Sequence, residues 1–305
     1  MNNDEKIRDK VKEYYSKAVT GGSTCGCGCS DISPKGIISS KMGEYSFEEL
    51  ENIPKEAVEN SFGCGNPLAF SEFKEGDVVL DLGSGAGIDI LLAAKKVGNS
   101  GKVIGIDMTP EMITKANENI KKSGFENVEV RQGIIENMPV DDNSIDWVIS
   151  NCVINLSPDK EKVFSEIFRV LKNGGKILIS DIIAENLPVE IKNIPEIYNS
   201  CIGGAISENE YIKFIEKVGL KNINIKSKYI YDFATIKGII LSEMPTNLCC
   251  GNIINHNLEK YISMLEGKIA SIKIYAEKIL LVYKFNSFLF YNVLKNCLVF
   301  LCRIK

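Results

Sequence analysis

The sequence predicts an α/β protein built on a doubly wound sheet, with a small mixed α+β domain at its C-terminal end. Residues 78–108 have the pattern of strand, glycine-rich turn, helix and strand, which makes one right-handed βαβ unit. Three more apolar strand-like runs follow, as expected for a sheet with helices on both faces. From about residue 221 the pattern changes to polar–apolar alternation. We therefore divide the chain into an N-terminal helix and cysteine-rich loop (1–45), a main domain (46–220) and a small C-terminal domain with an apolar tail (221–305).

Apolar periodicity places the individual elements. Helices are predicted over residues 7–19, 110–123, 160–171 and 211–218. The second should begin with Thr109 as N-cap and Pro110 at its first position, and Gly174 and Gly175 should cap the third. Beyond the βαβ unit, strands are predicted over residues 128–130, 145–150, 176–181, 223–231, 236–241 and 268–275.

The glycine-rich turn of the βαβ unit is the clearest sign of a ligand site. It has the spacing G-x-G-x-G and follows an apolar strand that ends in Asp81. Glycines let a ligand approach the backbone, and the helix N-terminus beside them offers free N–H groups. The second strand ends in Asp107, a position from which an acid can accept hydrogen bonds from ribose hydroxyls.

Composition excludes several function classes. The net charge is −4 and no basic block stands out, which argues against nucleic acid as the main partner. The first residues lack the apolar core of a signal peptide, and polar residues interrupt the apolar C-terminal segments, so we expect a cytoplasmic protein with reduced thiols and no membrane span. His256 is the single histidine, which removes most histidine-based catalysis.

Ten cysteines are many for a cytoplasmic chain, and they do not form the paired C-x-x-C units of a structural zinc site. Cys64 lies between two glycines, Cys201 shortly precedes two glycines, and Cys152 follows the fourth strand. Since ligands of open α/β sheets bind beyond the carboxyl ends of strands, Cys152 should face the reaction centre. A glycine-rich loop holds Cys25, Cys27 and Cys29, either as incidental thiols or as thiols that reach a distant site.

These motifs closely resemble those of the arsenite methyltransferases, a family of class I S-adenosylmethionine-dependent methyltransferases with a Rossmann-like sheet. The matching strings are F-G-C-G-N-P (62–67), D-L-G-S-G-A-G-I-D (81–89), G-I-D-M-T (105–109), S-N-C-V-I-N-L-S-P-D-K (150–160) and C-I-G-G-A (201–205). The resemblance covers about residues 60–278. It implies that S-adenosylmethionine is bound by Asp81, Gly83, Ser84, Gly85, Gly87, Asp107, Met108, Ile135, Glu136 and Asn151.

The resemblance also implies the chemistry. Cys64, Cys152 and Cys201 would bind trivalent arsenic, supplied as arsenite or its thiol adduct, and an N-terminal cysteine would form a disulfide cycle with Cys64. The arsenic lone pair would attack the sulfonium methyl without a general base, and thiolates are the ligands that a soft centre prefers. The methylated product would either pass through the pentavalent state or be kept in the trivalent state by thiol reduction. Thioredoxin or glutathione would be the reductant. Methylation of arsenite would serve arsenic detoxification. We expect the protein to be a monomer.

Two other functions are also compatible with the sequence. One is a different class I small-molecule methyltransferase, for instance one that acts on a quinone carbon. The other is a thiol-rich protein that binds or senses metalloids and keeps the cofactor fold as a relic. The intact acids Asp81 and Asp107 argue against the relic.

Overall fold

The computed structural model describes residues 3–20, 45–51, 53–63, 65–187, 201–242 and 256–279. Its strands are β1 (Val78–Leu82), β2 (Lys102–Asp107), β3 (Val128–Gln132), β4 (Ile145–Asn151), β5 (Leu171–Ala184), β6 (Lys221–Ile230) and β7 (Ile269–Glu277). Its helices are α1 (Asn3–Thr20), α2 (Phe47–Leu50), α3 (Lys55–Glu59), α4 (Ile88–Val97), α5 (Pro110–Ser123), α6 (Lys160–Val170), α7 (Glu208–Lys217), α8 (Phe233–Ser242) and α9 (His256–Leu265). Short 3-10 helices span Pro67–Phe70 and Ile154–Leu156.

The described strands form one sheet in the order β3-β2-β1-β4-β5-β7-β6. The strands β1 to β5 pair in parallel, and the chain reverses its direction of travel across the sheet between β1 and β4. Val79, Leu80 and Leu82 are all fully buried, because helices cover both faces of the sheet. The reversal opens a crevice at the carboxyl ends of β1 and β4, where ligands of such sheets bind.

The region after residue 221 continues this sheet. β7 pairs antiparallel with β5, and β6 pairs antiparallel with β7 at the edge. The boundary expected at residue 221 therefore does not coincide with a break in the sheet. The strand predicted over 236–241 is wrong, because this segment lies in α8. Ile236, Ile239 and Ile240 are buried at the spacing i, i+3, i+4, which is helical.

The glycine pair at 174–175 is not a helix cap. α6 ends at Val170, and β5 begins at the next residue. The N–H of Gly174 donates to the Lys278 carbonyl, and the N–H of Lys278 donates to the Gly175 carbonyl. The pairing of β4 and β5 shifts register beside these glycines. The two glycines therefore lie in an irregular region at the beginning of β5.

The helix after β2 begins at Pro110 as predicted, but its first turn is fixed differently. The Thr109 side chain makes no capping hydrogen bond, and Asp107 Oδ1 accepts the Thr109 N–H at 2.8 Å. The helix predicted over 7–19 is confirmed as α1, whose Val11 is 1% exposed in a cluster with Cys152 and Leu156. Within the described ranges, none of the helices combines the length and apolarity that a membrane crossing requires.

Candidate functional site

A cleft lies at the carboxyl ends of β1, β2 and β4, and residues from α1 cover one side of it. It encloses about 960 Å³, part of which is open to solvent. Of the residues that the sequence assigned to a cofactor, the following line it: Gly83, Ser84, Gly85, Asp107, Met108, Ile135, Glu136 and Asn151. Asp81 lies buried at the end of β1, and Gly87 forms the N-cap of α4.

The turn between β1 and α4 needs its glycines for two reasons. Gly83, Gly85 and Gly87 all have left-handed backbone angles, with φ of 66°, 52° and 99°. A Cβ on Gly83 would lie 2.4 Å from Val153 Cγ2, whereas a Cβ on Gly85 would meet nothing within 4 Å. Gly83 therefore allows the turn to pack against the end of β4, and Gly85 faces open space in the cleft.

Three carboxylates lie around this turn. Asp107 accepts the Gly85 N–H at 2.9 Å. Burial, together with the charges of Asp89 and Asp107, raises the pKa of Asp81 well above its usual range. Burial also raises the pKa of Asp89 to about 6. No described Lys or Arg forms an ion pair with any of the three, so the cleft is suited to a cationic ligand.

The loop at 133–136 forms another wall of the cleft. Ile135 and Glu136 are buried. Glu136 Oε1 accepts the Ser157 hydroxyl at 2.7 Å and lies 3.5 Å from Arg8 Nη1. α1 is thus tied across the cleft to this loop.

Asn151 has a role that the sequence did not indicate. It lines the cleft, but its Nδ2 donates to the Gly65 carbonyl at 2.7 Å and its Oδ1 accepts the Gly65 N–H at 3.2 Å. A Cβ on Gly63 would lie 2.3 Å from the same Nδ2. The two glycines around position 64 therefore lie directly against the end of β4, and Asn151 holds the second of them.

The structure brings two of the predicted arsenic ligands together. Cys152 lines the cleft, and the Cys201 thiol donates to the Cys152 carbonyl at 2.9 Å. Both are nearly fully buried, with φ of 60° and 65°, which is strained for residues with a side chain. Cys152 is disulfide-bonded, whereas Cys201 takes part in no disulfide. The resemblance assigned Cys152 to arsenic binding alone, so the disulfide adds a redox state to this position.

Several cysteines lie outside the described residues. They are Cys25, Cys27, Cys29 and Cys64 among the predicted site residues, and also Cys249, Cys250, Cys297 and Cys302. In the part of the chain that the structure covers, no group of three or more His, Cys, Asp and Glu side chains could hold a metal ion.

A buried polar network supports the two cysteine turns. Asn155 Nδ2 donates to Asp181 Oδ1 at 2.7 Å, and the Tyr211 hydroxyl donates to Asp181 Oδ2 at 3.0 Å. A Cβ on Gly204 would lie only 2.0 Å from the Asn155 carbonyl oxygen. The turn that follows Cys201 consequently packs backbone to backbone on the turn that follows Cys152.

Sequence reasoning missed Arg8, Tyr45, Asp89, Asn155 and Asp181. Asp89 and Asn155 stand inside strings that carry the resemblance, where a polar residue in an apolar context was a usable signal. Arg8 and Tyr45 had no such signal, because their partners Glu136 and Asp89 are 128 and 44 positions away.

Comparisons with known proteins agree with this geometry. Residues 73–219 match a family model described as a methyltransferase domain. An arsenite methyltransferase of Halobacterium salinarum is 40% identical over 237 residues, which are 73% of this chain and 60% of the relative. The human arsenite methyltransferase is 34% identical, over 71% of this chain and 58% of the relative. The chain thus spans about 60% of the length of these relatives.

A solved structure is similar over a larger share of its own length. It is the crystal structure of an arsenic(III) S-adenosylmethionine methyltransferase from Chlamydomonas reinhardtii. It superposes with a TM-score of 0.62 at 34% identity, and the match covers 76% of this chain and 73% of the other. The fold and the sequence similarity agree, and the chain belongs to the arsenite methyltransferase family.

Proposed function

We propose that the protein transfers methyl groups from S-adenosylmethionine to trivalent arsenic held by cysteine thiolates, as the names of its relatives suggest. The observation that carries the proposal is the meeting of Cys152 and Cys201 beside a cleft that the carboxylates of Asp89 and Asp107 line. Thiolates suit a soft metalloid, and buried carboxylates suit a cationic methyl donor.

The residues of the cleft fit this donor. S-adenosylmethionine supplies a methyl group on a positively charged sulfur. In this proposal Asp107 accepts hydrogen bonds from the ribose, and Ile135 and Glu136 flank the adenine. All three residues line the cleft, which supports these roles. The open space above Gly85 admits the amino-acid end of the cofactor close to the backbone.

The arsenic ligands proposed are Cys64, Cys152 and Cys201. The Cys201 thiol now donates to a carbonyl, so it must lose its proton when it binds arsenic. The arsenic lone pair forms the new As–C bond while the S–CH₃ bond of the sulfonium breaks, which leaves a neutral thioether and pentavalent arsenic. Oxidation of two thiolates to a disulfide would supply the two electrons that return the arsenic to the trivalent state. Alignment of the two reactants is then the main task of the protein, because this acceptor needs no general base.

A thiol reductant completes the cycle. The disulfide at Cys152 must take up two electrons before this residue can bind arsenic as a thiolate. Glutathione or thioredoxin would supply them, and Cys25, Cys27 and Cys29 are the candidates for exchange with Cys64. Such chemistry suits a reducing compartment, so we place the protein in the cytoplasm. We propose a monomer that needs neither a membrane nor nucleic acid.

The test incubates the purified chain with labelled S-adenosylmethionine, arsenite and glutathione, and identifies the methylated products. Labelled methylarsenicals are expected. Cys152→Ser and Cys201→Ser should each reduce their formation at least about 100-fold, since a hydroxyl is a poor ligand for a soft centre. Cys302→Ser, outside every motif of the resemblance, is the matched control and should retain activity.

Other outcomes would favour the remaining functions. Tight arsenite binding with no S-adenosylhomocysteine formed would indicate a binding or sensing protein. Cofactor turnover that arsenite does not stimulate, and that survives both serine variants, would indicate another small-molecule methyltransferase.

A further inference from the structure

Asp89 is a carboxylate held in place by two neutral side chains. It lies in the first turn of α4 and lines the cleft. Its Oδ1 accepts the Tyr45 hydroxyl at 2.6 Å, and its Oδ2 accepts the Asn151 amide at 3.2 Å. A carboxylate has about four lone-pair sites, so these two bonds leave capacity for a ligand. The side chain is oriented and can still meet a charge in the cleft.

The neighbours of Asp89 indicate which part of the cofactor it meets. Asp107, bonded to Gly85, marks the end assigned to the ribose. Asp89 is bonded instead to Asn151, the residue directly before Cys152. In-line transfer requires the methyl-bearing sulfur to face the arsenic-binding thiols. The sulfonium therefore belongs at the Asp89 end of the cleft.

We propose that Asp89, oriented by Tyr45 and Asn151, is the anionic contact for the sulfonium charge of S-adenosylmethionine. This rests on the proposed function, which takes that nucleoside as the cofactor. The product S-adenosylhomocysteine has a neutral thioether at the same place, so Asp89 favours the charged reactant over the spent product. A carboxylate in a water-poor cleft discriminates strongly between the two.

The same side chains connect the cofactor to the first arsenic-binding motif. Asn151 binds both the N–H and the carbonyl of Gly65 while it donates to Asp89. Tyr45 in turn accepts from Asn151 at 3.1 Å. Asp89 and Tyr45 thus determine where Asn151 holds Gly65, which makes Tyr45 a positioning residue for both parts of the site.

The test measures dissociation constants for S-adenosylmethionine and S-adenosylhomocysteine by titration calorimetry in the absence of arsenic. Asp89→Asn keeps the shape and removes the charge. It should weaken binding of the sulfonium at least about tenfold and binding of the thioether less than about threefold. Tyr45→Phe keeps the charge of Asp89 but removes the hydroxyl that orients it. This variant should lower the preference for the sulfonium over the thioether by about two- to fivefold.

Asp146→Asn is the matched control. Asp146 accepts the Val78 N–H at 2.9 Å and the Lys172 ammonium at 2.7 Å, at the other end of β4. This variant should leave the ratio of the two dissociation constants unchanged. Equal weakening of both nucleosides by Asp89→Asn, or no weakening of either, would overturn the proposal.

If the Asp89→Asn variant does not fold, a measurement on the wild-type protein tests the proposal instead. The titratable groups around Asp89 are Tyr45, Glu49 and Asp81. Because burial raises the pKa of Asp89 to about 6, the wild-type preference for the sulfonium should fall as pH drops through that value. A preference independent of pH would overturn the proposal. If the product assay gave no methylarsenicals, the proposed function would be overturned, but the ratio of the two dissociation constants would still test the role of Asp89. A chain that binds neither nucleoside would overturn both the proposed function and the role of Asp89.

Discussion

At the residue scale, the site depends on positions where the backbone takes an unusual conformation. Cys152 and Cys201 have positive φ, as do the three glycines of the β1–α4 turn. Such conformations cost of order 1–3 kcal/mol for residues with a side chain and persist where the surroundings hold them. Here the surroundings are the buried hydrogen bonds of Asn155 and Asp181.

Gly83→Ala should damage the cleft selectively. The new methyl would lie 2.4 Å from Val153 Cγ2, at a φ of 66° that alanine rarely adopts. We expect S-adenosylmethionine affinity to fall at least about tenfold, with a stability loss of about 1–3 kcal/mol. Calorimetric titration and thermal unfolding check both values.

Gly238→Ala provides the control for this substitution. Gly238 lies in α8, where a methyl group would meet nothing within 4 Å. Alanine is the better helix former by about 1 kcal/mol, so this variant should be at least as stable as wild type and bind the cofactor equally. An unaltered affinity in Gly83→Ala would show that the turn does not contact the ligand.

At the element scale, α1 forms part of the site. Its Val11 is 1% exposed and packs with Leu156, and its Arg8 lies across the cleft beside Glu136. Tyr15 packs edge-on against Phe62 with ring centroids 5.5 Å apart. Because every one of these contacts is made to the cleft wall, the helix completes the site in addition to covering apolar surface.

Val11→Asp should release α1 from the cleft. A carboxylate cannot stay in this apolar cluster, so the helix should detach while the sheet remains folded. Cofactor affinity should fall at least about fivefold, a moderate loss because the detached helix removes only part of the site. Proteolysis within residues 3–20 should become faster, because the detached helix is exposed to the protease. Limited proteolysis and calorimetry provide the readouts.

The exposed residue Lys10 supplies the comparison, because Lys10→Asp introduces the same side chain on the outer face of α1. It should change neither measurement. If Val11→Asp also left the affinity intact, α1 would not be part of the binding site.

At the scale of the whole molecule, buried acids link stability to pH. Burial raises the pKa of Asp181 to about 7, despite hydrogen bonds from the Ile182 N–H and the Tyr211 hydroxyl. The folded pKa is therefore above the unfolded value, and the folded state binds the proton more tightly. The resulting stabilisation is fully present below about pH 4 and is lost as pH rises through about 7.

Asp181→Asn should remove this dependence. Relative to wild type, its free energy of unfolding should rise between pH 4 and pH 8 by up to about 4 kcal/mol, because a shift of one pKa unit corresponds to about 1.4 kcal/mol. Urea unfolding of both proteins at each pH measures the difference. A difference that stays constant across this range would mean that Asp181 is ionised throughout.

The sequence by itself determined the order of strands and helices between residues 78 and 218, the glycine turn and the cysteine motifs. These features are local, since period, turn chemistry and short strings are written within a few residues. It misassigned 236–241, where three isoleucines fit a strand or a helix equally well without knowledge of what they pack against. It also misassigned the Gly174–Gly175 pair, whose backbone hydrogen bonds join it to Lys278, about 100 positions later.

Only the tertiary structure decided which groups meet. Asn151 meets Gly65, Asp89 meets Tyr45, and Arg8 meets Glu136 across 86, 44 and 128 positions. Contacts of this kind depend on how layers of the fold close over one another, which no local pattern contains. The same closure extended the sheet through β7 and β6, because the edge of β5 could pair with a later strand and bury apolar surface.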